Sequence, residues 1–238
     1  MYIVCNRGSS LASSLKTLVS GSRKLFFRKR PRRGWLDWNT DLFLSFPAHP
    51  RTWVRNTPEQ YARMVAFFRA NKLGQWRRLD EFFDTPQLAG PPYVVRPLRH
   101  FGGAGFEMSE TLPPPERSAT HYWRSLWKRN REYRLIYCHG KLVLTLLKRV
   151  NEDTPQNVAW NHGVSHFVTV TDPINDRIKN TTFFDDVKPF LEAYPFHFIA
   201  FDLLYRKKKY AVVEVNFSPG VTIPANQLKI KEALLCRT

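Results

Sequence analysis

Short apolar runs alternate with polar breaks along this chain, and the period of the apolar positions changes from segment to segment. Within NTPEQYARMVAFFRANKLGQW, Tyr61, Met64, Val65 and Phe68 recur at spacings of three and four, which predicts a helix over 58–72 with one buried face. Thr57, Pro58 and Glu59 give that helix a capping hydroxyl and a proline in its first turn. From 131 to 150 the pattern alternates as strands do, with a turn at His139-Gly140-Lys141. FFDDVKPFLEAY predicts a short helix in which Asp185 and Asp186 are first-turn charge rather than metal ligands. FIAFDLLYRKKKYAVVEVNFSPG reads as two strands turning back on each other. Before residue 57 the pattern predicts a strand at YIVC, an amphipathic helix over SSLASSLKTLVS, a strand at KLFFRKR and a proline-bearing loop from 34 to 50. The chain is α+β in class.

The last hairpin carries the most informative chemistry. With a side-chain period of two, Glu214 and Asn216 share a face of their strand, and the RKKK turn brings Asp202 alongside them. Three hard oxygen ligands then converge, a set that suits Mg²⁺ completed by water and substrate phosphates. A second run, PPYVVRPLRHFGGAGFE, delivers Arg96 on an apolar strand and follows it with Gly102, Gly103 and Gly105, whose backbone N–H groups can approach an anion closely. It is neither a Walker A loop, which ends in Gly-Lys-Ser/Thr, nor the dinucleotide fingerprint, whose glycine spacing differs. Taken alone, such a glycine cluster also fits an ordinary hairpin tip.

The order of these parts over residues 56 to 222 resembles the ATP-grasp superfamily of carboxylate-amine ligases. Asn71-Lys72-Leu73 resembles the segment before the nucleotide lid, YVVRP the lid strand with its ATP-contacting cation, and GGAG the mobile glycine loop. REYRLIYCHGKLVLTLLKR resembles the strand pair after the adenine hinge, AWNHG the loop near the acceptor, and FDLL with VVEVNFSPG the terminal metal-binding hairpin. The 202, 214, 216 spacing is similar to that of the ligases that add glutamate to a ribosomal protein. The lid cation is usually Lys in this superfamily and is Arg96 here, which keeps the charge and can grip phosphate bidentately.

The resemblance implies two α/β subdomains clasping ATP, with a short basic N-terminal region at 1–57, a small lid subdomain at 58–125 and a large subdomain at 126–238. Within the second span, 85–125 forms the lid proper. It also implies roles: Asp202, Glu214 and Asn216 on Mg²⁺; Arg96 and Lys72 on the phosphates with the 102–105 loop closing over them; Arg134, Lys148 and Arg149 towards the phosphoryl group or substrate carboxylate; and Asn161 orienting the acceptor. The implied activity joins a carboxylate to an amine through an acyl phosphate, with amino-acid or peptide-like substrates. Two other classes stay open: an ATP-grasp phosphotransferase, and a basic nucleic-acid-binding protein with a vestigial ligase fold.

Composition narrows this further. With 238 residues, 43% of them hydrophobic, and 18 Phe, 9 Tyr and 7 Trp, the chain can bury a full core. The apolar runs are too short for a membrane helix or a signal-peptide core, so a soluble, cytoplasmic protein is expected. Cys5, Cys138 and Cys236 sit in unlike contexts, which predicts free thiols, and the scattered histidines form no zinc pair. The net charge of +17 is concentrated where residues 1–36 hold no Asp or Glu, among them Arg28, Lys29, Arg30, Arg32 and Arg33. Either this is a solvated basic face, or it serves a polyanionic acceptor such as nucleic acid or an acidic polypeptide.

Overall fold

A five-stranded antiparallel sheet organises the chain, with strands in the order β11–β10–β9–β12–β13. Its members are β9 (Arg131–Cys138), β10 (Lys141–Val150), β11 (Ser165–Thr169), β12 (Phe198–Arg206) and β13 (Lys209–Asn216). The computed structural model describes residues 1–5, 10–18, 22–26, 36–46, 53–99, 105–150, 165–171, 176–217, 219, 221 and 223–236. Both hairpins of this sheet close with two residues at positive φ: His139 and Gly140 (47° and 76°) and Lys207 and Lys208 (47° and 67°). Such turns match the twist of the flanking strands.

One face of the sheet, with Tyr133, Leu135, Tyr137, Ile199, Phe201, Leu203 and Val215, packs on α4 (Phe183–Ala193) and α2 (Tyr61–Arg69) in an aromatic core. Phe201 lies edge-on to Phe83, Tyr137, Phe183 and Phe190 at centroid separations of 5.3–5.6 Å. The other face is apolar over Ile136, Cys138, Leu144, Phe198 and Ala200. There it meets α5 (Pro224–Leu235) and a three-stranded parallel sheet of β2 (Arg23–Phe26), β1 (Tyr2–Cys5) and β4 (Leu42–Phe43), flanked by α1 (Ser10–Leu18). The Phe43 N–H donates to Nδ1 of buried His197 (3.1 Å), and Trp38 lies 4.1 Å from that ring, which fastens the N-terminal sheet to the start of β12.

Two short strands, β3 (Leu36–Asp37) and β5 (Val54–Arg55), pair in parallel, and both β3 and β4 stand where the sequence predicts only loop. A third sheet, β7–β6–β8, is built from β6 (Tyr93–Pro97), β7 (Glu107–Ser109) and β8 (His121–Ser125). The helix expected over 58–72 is shorter, and a second helix follows it where none is expected. The Thr57 hydroxyl donates to the Val54 carbonyl instead of capping, α2 starts at Tyr61, and an extended Ala70 breaks the helix before α3 (Lys72–Leu79). Tyr61, Met64 and Phe67 pack in the main core with α4 and the five-stranded sheet. Burial raises the thiol pKa of Cys138 to about 12 and also raises that of Cys5, as expected of inert core thiols. Among the described residues no helix is long and apolar enough to cross a membrane.

Phe201 has no exposed surface and four aromatic neighbours, so Phe201→Ala should destabilise the fold by about 3–5 kcal/mol in denaturant titrations. A loss below about 1 kcal/mol would show that this aromatic layer does not hold the sheet to its helices.

Candidate active site

The charged half of the second sheet face is set by strand register. From the Lys207-Lys208 turn, β12 and β13 pair Arg206 with Lys209, Tyr205 with Tyr210, Leu204 with Ala211 and Leu203 with Val212. Continued regularly, that register would set Val213 opposite Asp202 and send Glu214 to the aromatic core face. A β-bulge intervenes, Val213 is the extra residue, and Asp202 pairs with Glu214. Asp202 also pairs with Arg134 of β9, so Arg134, Asp202 and Glu214 form one row across three strands. Asn216 pairs with Ala200 and therefore shares this face, one row on from Glu214.

Arg134 grips Asp202 bidentately: Nε donates to Oδ1 at 2.6 Å and Nη2 to Oδ2 at 2.8 Å, with both side chains about nine-tenths buried. Burial by itself favours the neutral guanidine. The Asp202 carboxylate, assisted by Glu214 and Glu132, outweighs it and leaves the Arg134 pKa above its ordinary value. The guanidinium also lies over the Phe167 ring at 4.5 Å.

Glu214 receives a second cation from outside the sheet. Asn71 caps α3, its side chain accepting the Gly74 N–H at 2.9 Å, and so fixes Lys72 in the first turn. The Lys72 ammonium pairs with the Glu214 carboxylate, while its backbone N–H donates to the Leu98 carbonyl just past β6 (3.1 Å). Lys72 thus touches the large sheet and the lid sheet together.

Arg96 stands on β6 opposite Tyr122 of β8. Burial raises the Tyr122 hydroxyl to about 12; Arg96 lowers it and Glu214 raises it, so the three lie in one electrostatic neighbourhood. Beyond Arg96 the chain returns through Gly105, at φ +68°, where an added Cβ would lie 2.6 Å from Pro97 Cγ. Only glycine suits both that backbone and that approach. It places Phe106 with its ring centroid 5.9 Å from the Arg96 guanidinium.

Lys148 and Arg149 separate. A second bulge, between Leu142 and Leu144, shifts β10 so that Leu146 pairs with Arg134. Lys148 is then on the site face, where it bonds Glu132 at 2.6 Å and lies 5.6 Å from the Phe167 ring centroid. Arg149, expected beside it, is exposed on the opposite face across from His166, because consecutive strand residues point to opposite sides. Asp185 pairs with Lys188, and Asp186 accepts from Thr182 and Tyr210, as first-turn helix charge does. Gly102, Gly103, Asn161 and the basic segment Arg28–Arg33 lie outside the described residues.

Glu132, Tyr122, Phe167 and the Asn71 cap are absent from the sequence-derived set. Glu132 was within reach, since it sits two residues from Arg134 and so shares its face. Tyr122 and Phe167 carry no sequence signal, because tertiary packing alone brings them in. Among the described residues no three His, Cys, Asp or Glu side chains gather as a metal cluster. The available set is two carboxylates and one amide on a single sheet face, hard oxygens that fit Mg²⁺ and offer nothing to a thiophilic metal.

No protein-family model matches the sequence, and no curated protein matches it in sequence. Solved structures do match. D-alanine–D-alanine ligase from Bacillus anthracis complexed with ATP aligns over 98% of this chain and 96% of its own, with TM-score 0.57 and 12% identity. The ATP-grasp ligase PsnB, complexed with a phosphomimetic variant of its minimal precursor, Mg and ADP, aligns over 98% and 97% with TM-score 0.58 and 12% identity. A RimK domain ATP-grasp protein from Sphaerobacter thermophilus aligns over 98% and 96% with TM-score 0.57 and 11% identity. The fold is the ATP-grasp fold, mixed α+β over nearly the whole chain.

Because the Arg134–Asp202 pair is buried, removing one partner strands the other charge. Arg134→Met should cost about 3–5 kcal/mol, and Arg134→Met with Asp202→Leu should recover most of it. Both are read from denaturant midpoints. A double variant no more stable than the single one would show that the pair is not a closed electrostatic unit.

Proposed function

We propose that this protein is an ATP-dependent carboxylate-amine ligase. The observation that carries the reading is the row Arg134–Asp202–Glu214, extended by Lys72 to the base of the lid sheet, at the site where an ATP-grasp fold has its two sheets face a common ligand. Lys72 and Arg96 supply two cations from the lid side, suited to the phosphates of ATP. Gly105 packs against Pro97 at the end of β6, and closure of the preceding glycine loop over the phosphates would exclude water from a reactive anhydride.

Asp202, Glu214 and Asn216 would hold Mg²⁺, which supplies Lewis-acid stabilisation of the charge on the transferring phosphoryl group. Arg134 keeps the Asp202 carboxylate oriented, and Lys148 with Glu132 extends the polar row towards the substrate side. The substrate carboxylate oxygen attacks the γ-phosphorus, its bond to the bridging oxygen breaks, and ADP leaves. The amine nitrogen then attacks the acyl carbon, the C–O bond to phosphate breaks, and the nitrogen loses a proton. The chain's residues position and neutralise charge; no covalent enzyme intermediate is involved. Arg149 has no part in this scheme, and Gly102, Gly103 and Asn161 keep the roles implied by resemblance.

Glu214→Gln keeps the side-chain shape and removes a charge, so it should lower ATP-dependent ADP formation roughly 100-fold or more, measured across a panel of amino acids and peptides. Arg96→Lys should retain more activity than Arg96→Met. Wild-type ADP formation by Glu214→Gln would contradict the metal assignment, and equal activity of the two Arg96 variants would remove Arg96 from the nucleotide site. ADP released with a phosphorylated acceptor and no new C–N bond would make the protein a phosphotransferase.

A further inference from the structure

The β12–β13 turn puts four consecutive cations, Arg206 to Lys209, at one end of the large sheet, with Lys207, Lys208 and Lys209 exposed. The same end carries, on the face away from Asp202, exposed Arg149 from β10 and exposed Arg177 from a 3-10 turn (Arg177–Asn180). That turn is held to the sheet through Asp176, which bonds Tyr133 and pairs with Arg131. Among the described residues, Asp176 pairs with Arg131, and Glu132 with Lys148 and Arg129. Lys207, Lys208 and Lys209 thus present an exposed run of positive charge.

Its backbone adds an independent observation. Lys207 and Lys208 occupy the two positive-φ positions of a tight hairpin, at 47° and 67°, where Asn-Gly is favoured and lysine is strained. The chain's other tight hairpin in this sheet ends on Gly140. Turn preference and like-charge repulsion both oppose Lys-Lys, yet the charge stands at the tip.

Resting on the ligase reading, we propose that this end of the sheet is a docking surface for an acidic polypeptide that presents its carboxylates to the site. Asp202 lies four residues from Arg206 on the same strand, roughly 13 Å at about 3.3 Å per residue, so a few extended residues of a bound peptide span the distance. The aromatic rings beneath the cations, Tyr133, Tyr205 and Tyr210, are buried and offer no platform for stacking bases. Side-chain carboxylates, by contrast, are both the counter-charge for lysines and the group that the proposed reaction consumes.

The test is binding of a fluorescein-labelled oligo-aspartate peptide, followed by anisotropy without ATP over a range of salt. Lys207→Asn with Lys208→Gly should raise the unfolding midpoint by about 2–4 °C, because it relieves the turn, and weaken binding about five-fold or more. Arg206→Gln with Lys209→Gln, which leaves the turn residues in place, should weaken binding comparably. Binding in the wild type should also fall as salt rises. Equal affinity in wild type and variants, no binding at low salt, or tighter binding of a single-stranded oligonucleotide of equal charge would each overturn the proposal. Glu214→Gln should bind the peptide normally, so a failure of docking and a failure of the ligase reading give different results.

Discussion

Two β-bulges decide what this molecule can do. The one at Val213 turns Glu214 from the aromatic core to the face of Asp202. The one between Leu142 and Leu144 puts Lys148 on that face and sends Arg149 to the other. A slip of one residue in either strand exchanges every inward side chain for an outward one. Register is therefore strongly held: the opposite face is packed with Phe201, Leu203, Val212 and Val215, and a charged Glu214 among them would be costly. The Arg134–Asp202 pair is placed by the same pairing and is satisfied internally by its bidentate geometry.

Around that row the charges are matched across structural units. Lys72 answers Glu214 from the start of α3, and its backbone holds the end of β6. Trp76, one turn further along α3, hydrogen-bonds and packs against Tyr122, while Arg124 lies over the Trp76 ring at 5.1 Å. The β7–β6–β8 sheet thus meets the large sheet through the first turn of α3. Lys72 contacts both Glu214 and the residue just past the strand that carries Arg96. Two of the groups proposed to meet ATP are in this way mechanically adjacent to the carboxylate proposed to meet its metal.

Sequence reading reached the hairpin of Asp202 and Glu214 because its turn, RKKK, is flanked by clean apolar runs, and it reached the His139-Gly140 turn for the same reason. It reached the faces only in part. The period-two argument sets Glu214 with Asn216 correctly along one strand, but the convergence with Asp202 depends on a bulge that leaves no composition signal. Arg149 shows the converse. Leu144, Thr145, Leu146 and Leu147 are all buried, so both faces of β10 are covered there and the strand loses the alternation that would separate Lys148 from Arg149. α3 carries little periodic signal, and the break before it is made by the extended Ala70 and the Asn71 cap rather than by a proline. α5 buries Asn226, Ile230 and Leu234 while its Leu228 and Leu235 are exposed, so its apolar positions do not mark one face in the sequence.

The central claim is that the Arg134–Asp202–Glu214 row and the Lys72–Arg96 side form one nucleotide site that works with a divalent cation. Calorimetric titration of the protein with ATP, with and without Mg²⁺, tests it without knowledge of the acceptor. The account predicts a single ATP site whose affinity rises with Mg²⁺ and loses that rise in Asp202→Asn. ATP binding that is absent, or that is indifferent to Mg²⁺ in the wild-type protein, would contradict it.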